Sequence, residues 1–296
     1  MAEQMTSGEQ MTSGVVCGQV GTNDLWGGLW TGGDKLPQRP LIGDREYEDV
    51  RIVECGAENK DTILLLHGGG LSWWNYREPA KLLQNEYHIV LPILDGHAGS
   101  DRPFTTIEEN ASEIISFIDA HLNGSALLIG GLSLGGQILL ELLSQRGDIC
   151  THALVESAAV IPSKLTNSLI TPAFSSSYGL ISNRSFAKLQ FQSLHIKPEF
   201  FEEYYRDTCR IKRQDMIAFM KASTSYALKD AFRETPADVH VYVGEKETGV
   251  ILRSAKAICR MRPSCSLHRM KDLRHGEFSL NHADQYANAI RQIIQT

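Results

Sequence analysis

The sequence predicts an α/β fold in which a mostly parallel sheet is flanked by helices. Residues 62–66 and 126–129 are continuous apolar runs, as is typical of parallel strands that are buried on both faces. Segments with helical spacing of apolar residues separate such runs, and this alternation is that of right-handed βαβ units. The chain has 296 residues, of which 42% are hydrophobic. We therefore expect one large α/β core that carries an insertion.

The first 43 residues differ in composition from the rest. Residues 3–8 are repeated at 9–14 as Glu-Gln-Met-Thr-Ser-Gly, a polar sequence that offers little apolar surface to bury. A Gly-rich stretch with Trp26 and Trp30 follows, and we expect these two rings to cover apolar surface on the body of the protein. Residues 1–43 are therefore predicted to form a partly disordered tail.

Strands and helices alternate through the next part of the chain. Residues 50–54 alternate between apolar and polar side chains, which predicts a half-exposed edge strand. The predicted elements that follow are a strand at 63–67, a helix at 79–84, a strand at 88–91 and a helix at 107–122. Thr106 and Glu109 have the spacing of a capping box, so they mark the start of the last of these helices.

An apolar strand, a tight turn and a helix follow one another directly at residues 126–143. The turn reads Gly131-Leu132-Ser133-Leu134-Gly135, a Gly-x-Ser-x-Gly pattern in which a strained serine presents its hydroxyl above the sheet. The amide of Leu134 begins the helix, where partial positive charge favours an anion. Ser133 is thus a candidate nucleophile. The alternative is an ordinary Gly-rich βα turn or a weak phosphate loop.

Three further stretches argue against that alternative. The strand at 63–67 leads into Gly68-Gly69-Gly70, a turn that can offer a backbone N–H to an oxyanion. A predicted strand at 239–243 leads into Gly244-Glu245-Lys246-Glu247, and one at 265–270 leads to His275 and a terminal helix. Serine, acid and histidine then occur in the chain order that accompanies the Gly-x-Ser-x-Gly turn.

On these motifs the chain resembles the α/β-hydrolase-fold serine hydrolases, being esterase-like with a helical cap. The resemblance covers about residues 44–296. Residues 95–100, Asp-Gly-His-Ala-Gly-Ser, are similar to the family's turn after the fourth strand, shortened by one residue. We interpret His97 in this turn as structural rather than catalytic.

The roles of the first two catalytic candidates follow from their chemistry. A serine hydroxyl is a poor nucleophile near neutral pH unless a base lies beside it. Ser133 is expected to attack a carbonyl carbon, while His275 takes its proton and then protonates the leaving group. The backbone N–H groups of Gly69 and Leu134 are expected to form the oxyanion hole.

A third residue must hold the imidazole in the correct tautomer and stabilise its charged form. We favour Glu247, which lies three residues past Gly244 in the loop after the late strand. The family more often carries Asp at this position. Glu245, in the same loop, and Glu156, after the sixth strand, therefore remain alternative acids.

The strand pattern stops between residues 159 and 231. Aromatic residues and methionines recur there at helical spacing, which predicts a helical insertion. In the family this insertion forms a cap over the active site, so we expect a core at 44–158 and 232–296 and a cap at 159–231. The alternative is that the insertion is only extra packing on one edge of the fold.

Trp73 and Trp74 follow the Gly68-Gly69-Gly70 turn. They either line an apolar pocket or have a structural packing role.

The resemblance implies a serine hydrolase that cleaves a small, mostly apolar ester or acyl substrate through an acyl-enzyme. Carbon–carbon bond hydrolysis or hydroxynitrile lyase chemistry with the same triad is an alternative, as is a ligand receptor with slow turnover. Related epoxide hydrolases and dehalogenases carry Asp at the position of Ser133, in the turn known as the nucleophile elbow. We expect no cofactor, because no Gly-x-Gly-x-x-Gly follows the first strand, and no metal site.

Charge and composition exclude several classes of partner. The net charge is −6 with both signs scattered along the chain, whereas nucleic-acid binding needs a concentrated basic face. No apolar stretch approaches the length of a membrane span, and no apolar signal segment precedes Lys35. We expect a cytoplasmic protein with reduced cysteines, since the six cysteines are scattered without a C-x-x-C pair. The sequence leaves the oligomeric state open.

Overall fold

A computed structural model describes the backbone of residues 43–46 and all atoms of residues 50–296. The predicted tail, with its repeat, Trp26 and Trp30, lies outside the described residues apart from Gly43. All of the described residues belong to one compact unit, Arg39–Thr296. Within them, no helix is both long and apolar enough to cross a membrane.

A mixed sheet of eight strands forms the centre of the described part. Its spatial order is β1-β2-β4-β3-β5-β6-β7-β8. The pairs β1–β2 and β2–β4 are antiparallel, and all others are parallel. The strands are Gly43–Glu46 (β1), Arg51–Cys55 (β2), Thr62–Leu66 (β3), His88–Pro92 (β4), Ala126–Leu132 (β5), Cys150–Glu156 (β6), Asp238–Gly244 (β7) and Ser266–Met270 (β8). The prediction of a mostly parallel sheet is confirmed.

Ten α-helices connect or follow these strands in the described residues. They are Arg77–Leu83 (α1), Ile107–His121 (α2), Leu134–Gln145 (α3), Lys164–Ser177 (α4), Arg184–Ser193 (α5), Phe201–Arg210 (α6), Arg213–Ser225 (α7), Gly249–Met261 (α8), Glu277–Asn281 (α9) and Ala283–Ile294 (α10). As predicted, α2 begins after Thr106, whose Oγ1 accepts a hydrogen bond from the backbone N–H of Glu109 at 3.0 Å. Such a cap contributes about 1 kcal/mol to helix stability.

The sheet is covered on both faces, which explains the unbroken apolar runs in its central strands. In β3, Leu64 and Leu66 belong to one hydrophobic cluster, which includes residues of α2, α3 and α8. Ile63 and Leu65 of the same strand belong to a second cluster, which includes residues of α1 and α10. Because successive side chains point to opposite faces, each face of the strand has its own core.

The prediction that residues 50–54 form an edge strand is wrong. β2 is an inner strand, since β1 pairs along one side of it and β4 along the other. The misleading signal is the charged Glu54, which suggested a solvent-facing position. Glu54 is buried, and its Oε2 lies 2.9 Å from Nε2 of His88 on β4. A buried polar side chain costs little in an inner strand when it has a hydrogen-bonding partner. Glu54 therefore gave β2 the alternating pattern of an exposed strand although it is buried.

The predicted helical insertion lies between β6 and β7. It consists of α4 to α7 with three short 3-10 helices, at Tyr178–Leu180, Pro198–Phe200 and Asp230–Glu234. Helix α4 packs on α7, and α5 packs on α6.

The prediction that the cysteines are reduced is wrong for one pair. Cys259, near the end of α8, and Cys265, just before β8, form a disulfide with their Cα atoms 5.1 Å apart. The helix-to-strand turn brings them together, which their six-residue separation did not reveal. Cys55 and Cys150 are buried free thiols, and burial raises the pKa of each thiol to about 12.

Candidate active site

Ser133 lies on the sharp turn between β5 and α3. Its backbone has φ 54° and ψ −110°, a conformation that is strained for a residue with a side chain and costs about 1–3 kcal/mol. The turn needs glycine on both sides. A Cβ atom on Gly131 would collide with the backbone of Gly135, and one on Gly135 would collide with the carbonyl group of Leu66. The serine N–H is fixed by a 2.8 Å hydrogen bond to the carbonyl oxygen of Glu156.

His275 reaches this serine from the loop after β8. Its Nε2 lies 3.0 Å from Oγ of Ser133, so the hydroxyl can donate to the ring. The next residue, Gly276, has φ 72° and caps the N-terminus of α9, so the chain turns sharply behind the histidine. The side chain of His275 is 48% exposed, so it is accessible from solvent.

Glu247 lies on the other side of the imidazole. Its Oε2 accepts a 2.9 Å hydrogen bond from Nδ1 of His275, and its Oε1 accepts one from the hydroxyl of Ser157. The glutamate side chain is fully buried. Desolvation lowers the pKa of His275, but the hydrogen bond and negative charge of Glu247 outweigh it and raise the pKa above 6.5.

Neither of the two alternative acids hydrogen-bonds to the histidine, although the charge of Glu156 also raises the pKa of His275. Glu156 ends β6 with its side chain buried, and its Oε1 accepts a 3.2 Å hydrogen bond from the backbone N–H of Ser279. Burial raises the pKa of the Glu156 carboxyl to about 7. Glu245 is exposed to solvent. Of the three glutamates, Glu247 alone hydrogen-bonds to His275 in the described residues.

The two predicted oxyanion donors, Gly69 and Leu134, are backbone N–H groups beside Ser133. Within the described part of the chain, neither of these groups donates a hydrogen bond to the protein. In the loop after β3, the neighbouring N–H groups are occupied: Gly68 donates to Oδ1 of Asn75 at 3.2 Å, and Gly70 donates to Nε2 of His97 at 3.0 Å. The N–H of Gly69 lies between these two occupied groups.

His97 has a structural role, as the sequence suggested. Its Nδ1 donates to the carbonyl oxygen of Asp95 at 3.0 Å, and its Nε2 accepts from Gly70. These bonds require a neutral ring, and burial lowers the pKa of His97 to about 4. Sequence reasoning missed that this histidine anchors the loop that carries Gly69, the predicted oxyanion donor. We call residues 67–70 the oxyanion loop after this prediction.

The helical insertion contacts the loops that carry the site. Phe219 of α7 stacks on His97 with ring centroids 4.5 Å apart, and it lies against Gly69. The indole N–H of Trp74 donates to Oδ2 of Asp207 in α6 at 2.8 Å. Trp74 is fully buried, so it packs beneath the insertion rather than lining an open pocket. These contacts put the insertion at the carboxyl end of the sheet, beside the predicted catalytic residues.

The described residues contain no group of three or more His, Cys, Asp or Glu side chains arranged to hold a metal ion.

Comparison with known proteins agrees with this fold. The model of the alpha/beta hydrolase family matches residues 63–289. An esterase from Thermogutta terrifontis superimposes with a TM-score of 0.69 at 16% identity, over 87% of this chain and 98% of that one. An enol-lactonase from Burkholderia xenovorans superimposes with a TM-score of 0.70 at 13% identity, over 83% and 97% of the two chains. At such identities these likenesses show the fold alone.

A curated relative is similar over a shorter stretch. The 30 kDa magnesium-chelatase subunit of Rhodobacter capsulatus is 30% identical over 97 residues, which span 32% of this chain and 34% of that protein. The family model covers most of the chain. The chain belongs to the alpha/beta hydrolase family.

Proposed function

We propose that the protein is a serine hydrolase, carboxylesterase-like, that cleaves a small, mostly apolar ester or acyl substrate with a Ser-His-Glu triad. The observation that carries the proposal is the continuous hydrogen-bonded row from Ser133 through His275 to Glu247, with bonds of 3.0 and 2.9 Å. Each of the three comes from a different loop at one end of the sheet. Such a row has the geometry of an activated nucleophile.

The proposed reaction proceeds in two halves. Oγ of Ser133 forms a bond to the substrate carbonyl carbon, and its proton passes to Nε2 of His275. The carbonyl oxygen becomes an oxyanion that accepts hydrogen bonds from the N–H groups of Gly69 and Leu134. The leaving group departs with the histidine proton. Water, deprotonated by the same histidine, then releases the acyl group and restores the serine.

Glu247 stabilises the charged imidazole that forms in each half. Its carboxylate lies in a site from which water is excluded, where the attraction between opposite charges is stronger than in solvent. The hydrogen bond to Nδ1 also fixes the tautomer, so that Nε2 faces the serine. The Ser157 hydroxyl, bound to the second oxygen of Glu247, keeps this carboxylate from rotating away.

The proposed cap, residues 159–231, supplies the substrate-facing surface above a core at 44–158 and 232–296. The ring of Phe219, which is itself fully buried, packs on the oxyanion loop at Gly69 and so holds the proposed cap beside the proposed catalytic residues. Since the cap holds none of the three triad residues, it is expected to set substrate choice rather than chemistry.

The test is a series of p-nitrophenyl esters of increasing acyl length, assayed with wild type and Ser133→Ala. We expect turnover with a preference for short acyl chains and loss of that turnover in the folded alanine variant. Equal hydrolysis by the two proteins would refute a serine mechanism.

A further inference from the structure

Three polar side chains lie fully buried beneath the catalytic residues, and no step of the proposed reaction uses them. Asn75 lies after the oxyanion loop, Ser279 lies in α9 after His275, and Glu156 ends β6. Their exposed fractions are 1%, 0% and 1%. Polar side chains in such positions are costly unless hydrogen-bonded, so their partners indicate what they hold in place.

The three side chains form one hydrogen-bonded path between two loops. The N–H of Gly68 donates to Oδ1 of Asn75 at 3.2 Å, and Nδ2 of Asn75 donates to Oγ of Ser279 at 3.3 Å. The backbone N–H of Ser279 donates to Oε1 of Glu156 at 3.2 Å. The carbonyl oxygen of Glu156 in turn accepts the N–H of Ser133. The path therefore begins beside the predicted oxyanion donor Gly69 and ends at the predicted nucleophile.

The amide of Asn75 is suited to the central position. One end must accept from a backbone N–H and the other must donate to a hydroxyl, which a carboxamide does with its two different atoms. The bonded residues are 7 and 204 positions away in sequence, so the amide joins segments that are far apart along the chain.

These hydrogen bonds restrict the position of the Gly69 N–H. Asn75 holds the N–H of the preceding residue, and His97 holds the N–H of the following one. With both neighbours fixed, the peptide between them has little freedom to rotate. A donor that is fixed before the reaction stabilises developing charge without having to reorganise.

We propose that Asn75 and Ser279 are positioning residues that fix the Gly69 N–H relative to Ser133 and His275. This inference rests on the proposed function, because it assigns a role within the same reaction. Neither residue touches the reacting atoms. Their loss should therefore weaken binding of the transition state while leaving substrate binding almost unchanged.

The test compares Asn75→Leu and Ser279→Ala with wild type in kcat, KM and inhibition by a phenyl trifluoromethyl ketone. That ketone accepts Oγ of Ser133 at its carbonyl carbon, its oxygen occupies the oxyanion hole, and the proton goes to His275. A misplacement of about 1 Å costs roughly 100-fold in rate, so we expect about that loss in kcat for Asn75→Leu with a similar KM. The inhibition constant of the ketone should rise in parallel with the loss in kcat/KM.

Ser279→Ala removes one hydrogen bond and keeps Asn75 bound to Gly68, so we expect a loss in kcat of about tenfold. If Asn75→Leu does not fold, the kinetics of Ser279→Ala test the inference instead. Thr235→Val is the matched control, since Thr235 is also buried, donates to Gly147 and accepts from Ala237, but lies before β7 at the opposite end of the sheet. It should lower stability and leave kcat and ketone binding unchanged.

The inference is overturned if folded Asn75→Leu and Ser279→Ala keep wild-type kcat and ketone affinity. It is also overturned if Thr235→Val reduces both to the same extent, because general loosening would then explain the effect. Failure of the proposed function has a different signature: Ser133→Ala would keep full activity, and the ketone would not inhibit the wild-type protein.

Discussion

Two neighbouring strands, β6 and β7, each lead to a buried glutamate at the same end of the sheet, and the two carboxyls have different surroundings. Glu247, after β7, has both oxygens bonded, to Ser157 and to His275. Glu156, at the end of β6, has one oxygen bonded to a backbone N–H, and its Oε2 has no partner among the described residues. Position at a strand end is therefore not enough to identify the acid.

The number and kind of partners separate the roles of these two carboxyls. A histidine that becomes charged during reaction is a partner for a carboxylate, and Glu247 has it. Burial instead favours the neutral acid of Glu156, and it raises the pKa of this carboxyl to about 7. The comparison supports the proposal that Glu247 stabilises charge on His275, whereas Glu156 accepts a hydrogen bond from the backbone of Ser279.

Substitution of Glu247 by Gln should produce the largest effect. The amide keeps the shape but cannot stabilise the imidazolium, and it can favour the wrong tautomer. Loss of this charge in a well-studied triad lowers kcat by roughly 10⁴-fold, so a fall of several orders of magnitude is expected here. Steady-state kinetics on a short p-nitrophenyl ester measures it, with circular dichroism to verify folding. If Glu247→Gln has a near-normal kcat and Glu156→Gln is inactive, the acid that supports His275 is Glu156 at the end of β6.

The pH dependence of activity should follow the raised pKa of His275. The base must be neutral in the free enzyme, so kcat/KM should rise with pH around a midpoint above 6.5. Glu247→Gln removes the main cause that raises this pKa, and the residual activity should then have a lower midpoint. Unchanged midpoints in the two proteins would show that Glu247 does not face the catalytic base.

Glu156→Gln should change the pH dependence of stability rather than the chemistry. The folded-state pKa of Glu156 is about 7 and the ordinary value is 4.5, so the stability that the neutral acid contributes is complete below 4.5 and is lost as pH rises through 7. Glutamine imitates the neutral acid at every pH. The variant should therefore gain stability over wild type by up to about 3 kcal/mol between pH 4.5 and 8.

Urea unfolding at a series of pH values measures this difference. A constant difference in the free energy of unfolding across that range would contradict the raised pKa of Glu156.

Glu245→Gln should have the smallest effect. Glu245 is in the same loop as Glu247, but it is exposed to solvent. Exposed groups are screened by water, so kcat and KM should stay within about twofold of wild type. It is the matched control for Glu247→Gln, and a large loss of activity would mean that this loop adopts another conformation during catalysis.

The sequence predicted those parts of the site that local motifs encode. Ser133 lies within a five-residue turn whose glycines are required sterically, and Gly69 and Leu134 follow from the same kind of local pattern. The sequence favoured Glu247 from its place in the loop after β7 but left Glu156 and Glu245 as alternatives, because the direction of each side chain depends on how the loop folds. There the N–H of Lys246 bonds to the carbonyl oxygen of Leu273, which lies in the histidine loop.

The supporting residues could not be predicted, since their partners are distant in sequence. Asn75 binds Ser279 across 204 positions, and neither belongs to a motif. One signal was present: Asn75 is the single amide in the apolar stretch from Leu71 to Tyr76. The prediction that residues 50–54 form an edge strand was wrong for the same reason. The partner of Glu54 is His88 on β4, which the sequence of β2 alone does not reveal.

The most direct test of the Ser133–His275–Glu247 assignment is covalent labelling with a fluorophosphonate, measured by intact mass spectrometry. Oγ of an activated serine displaces fluoride from phosphorus and forms a stable ester, and an inactive hydroxyl reacts far more slowly. The account predicts one adduct on wild type, none on Ser133→Ala, and greatly slowed labelling of a folded His275→Ala variant. A full adduct on Ser133→Ala, or wild-type labelling rates without His275, would contradict it.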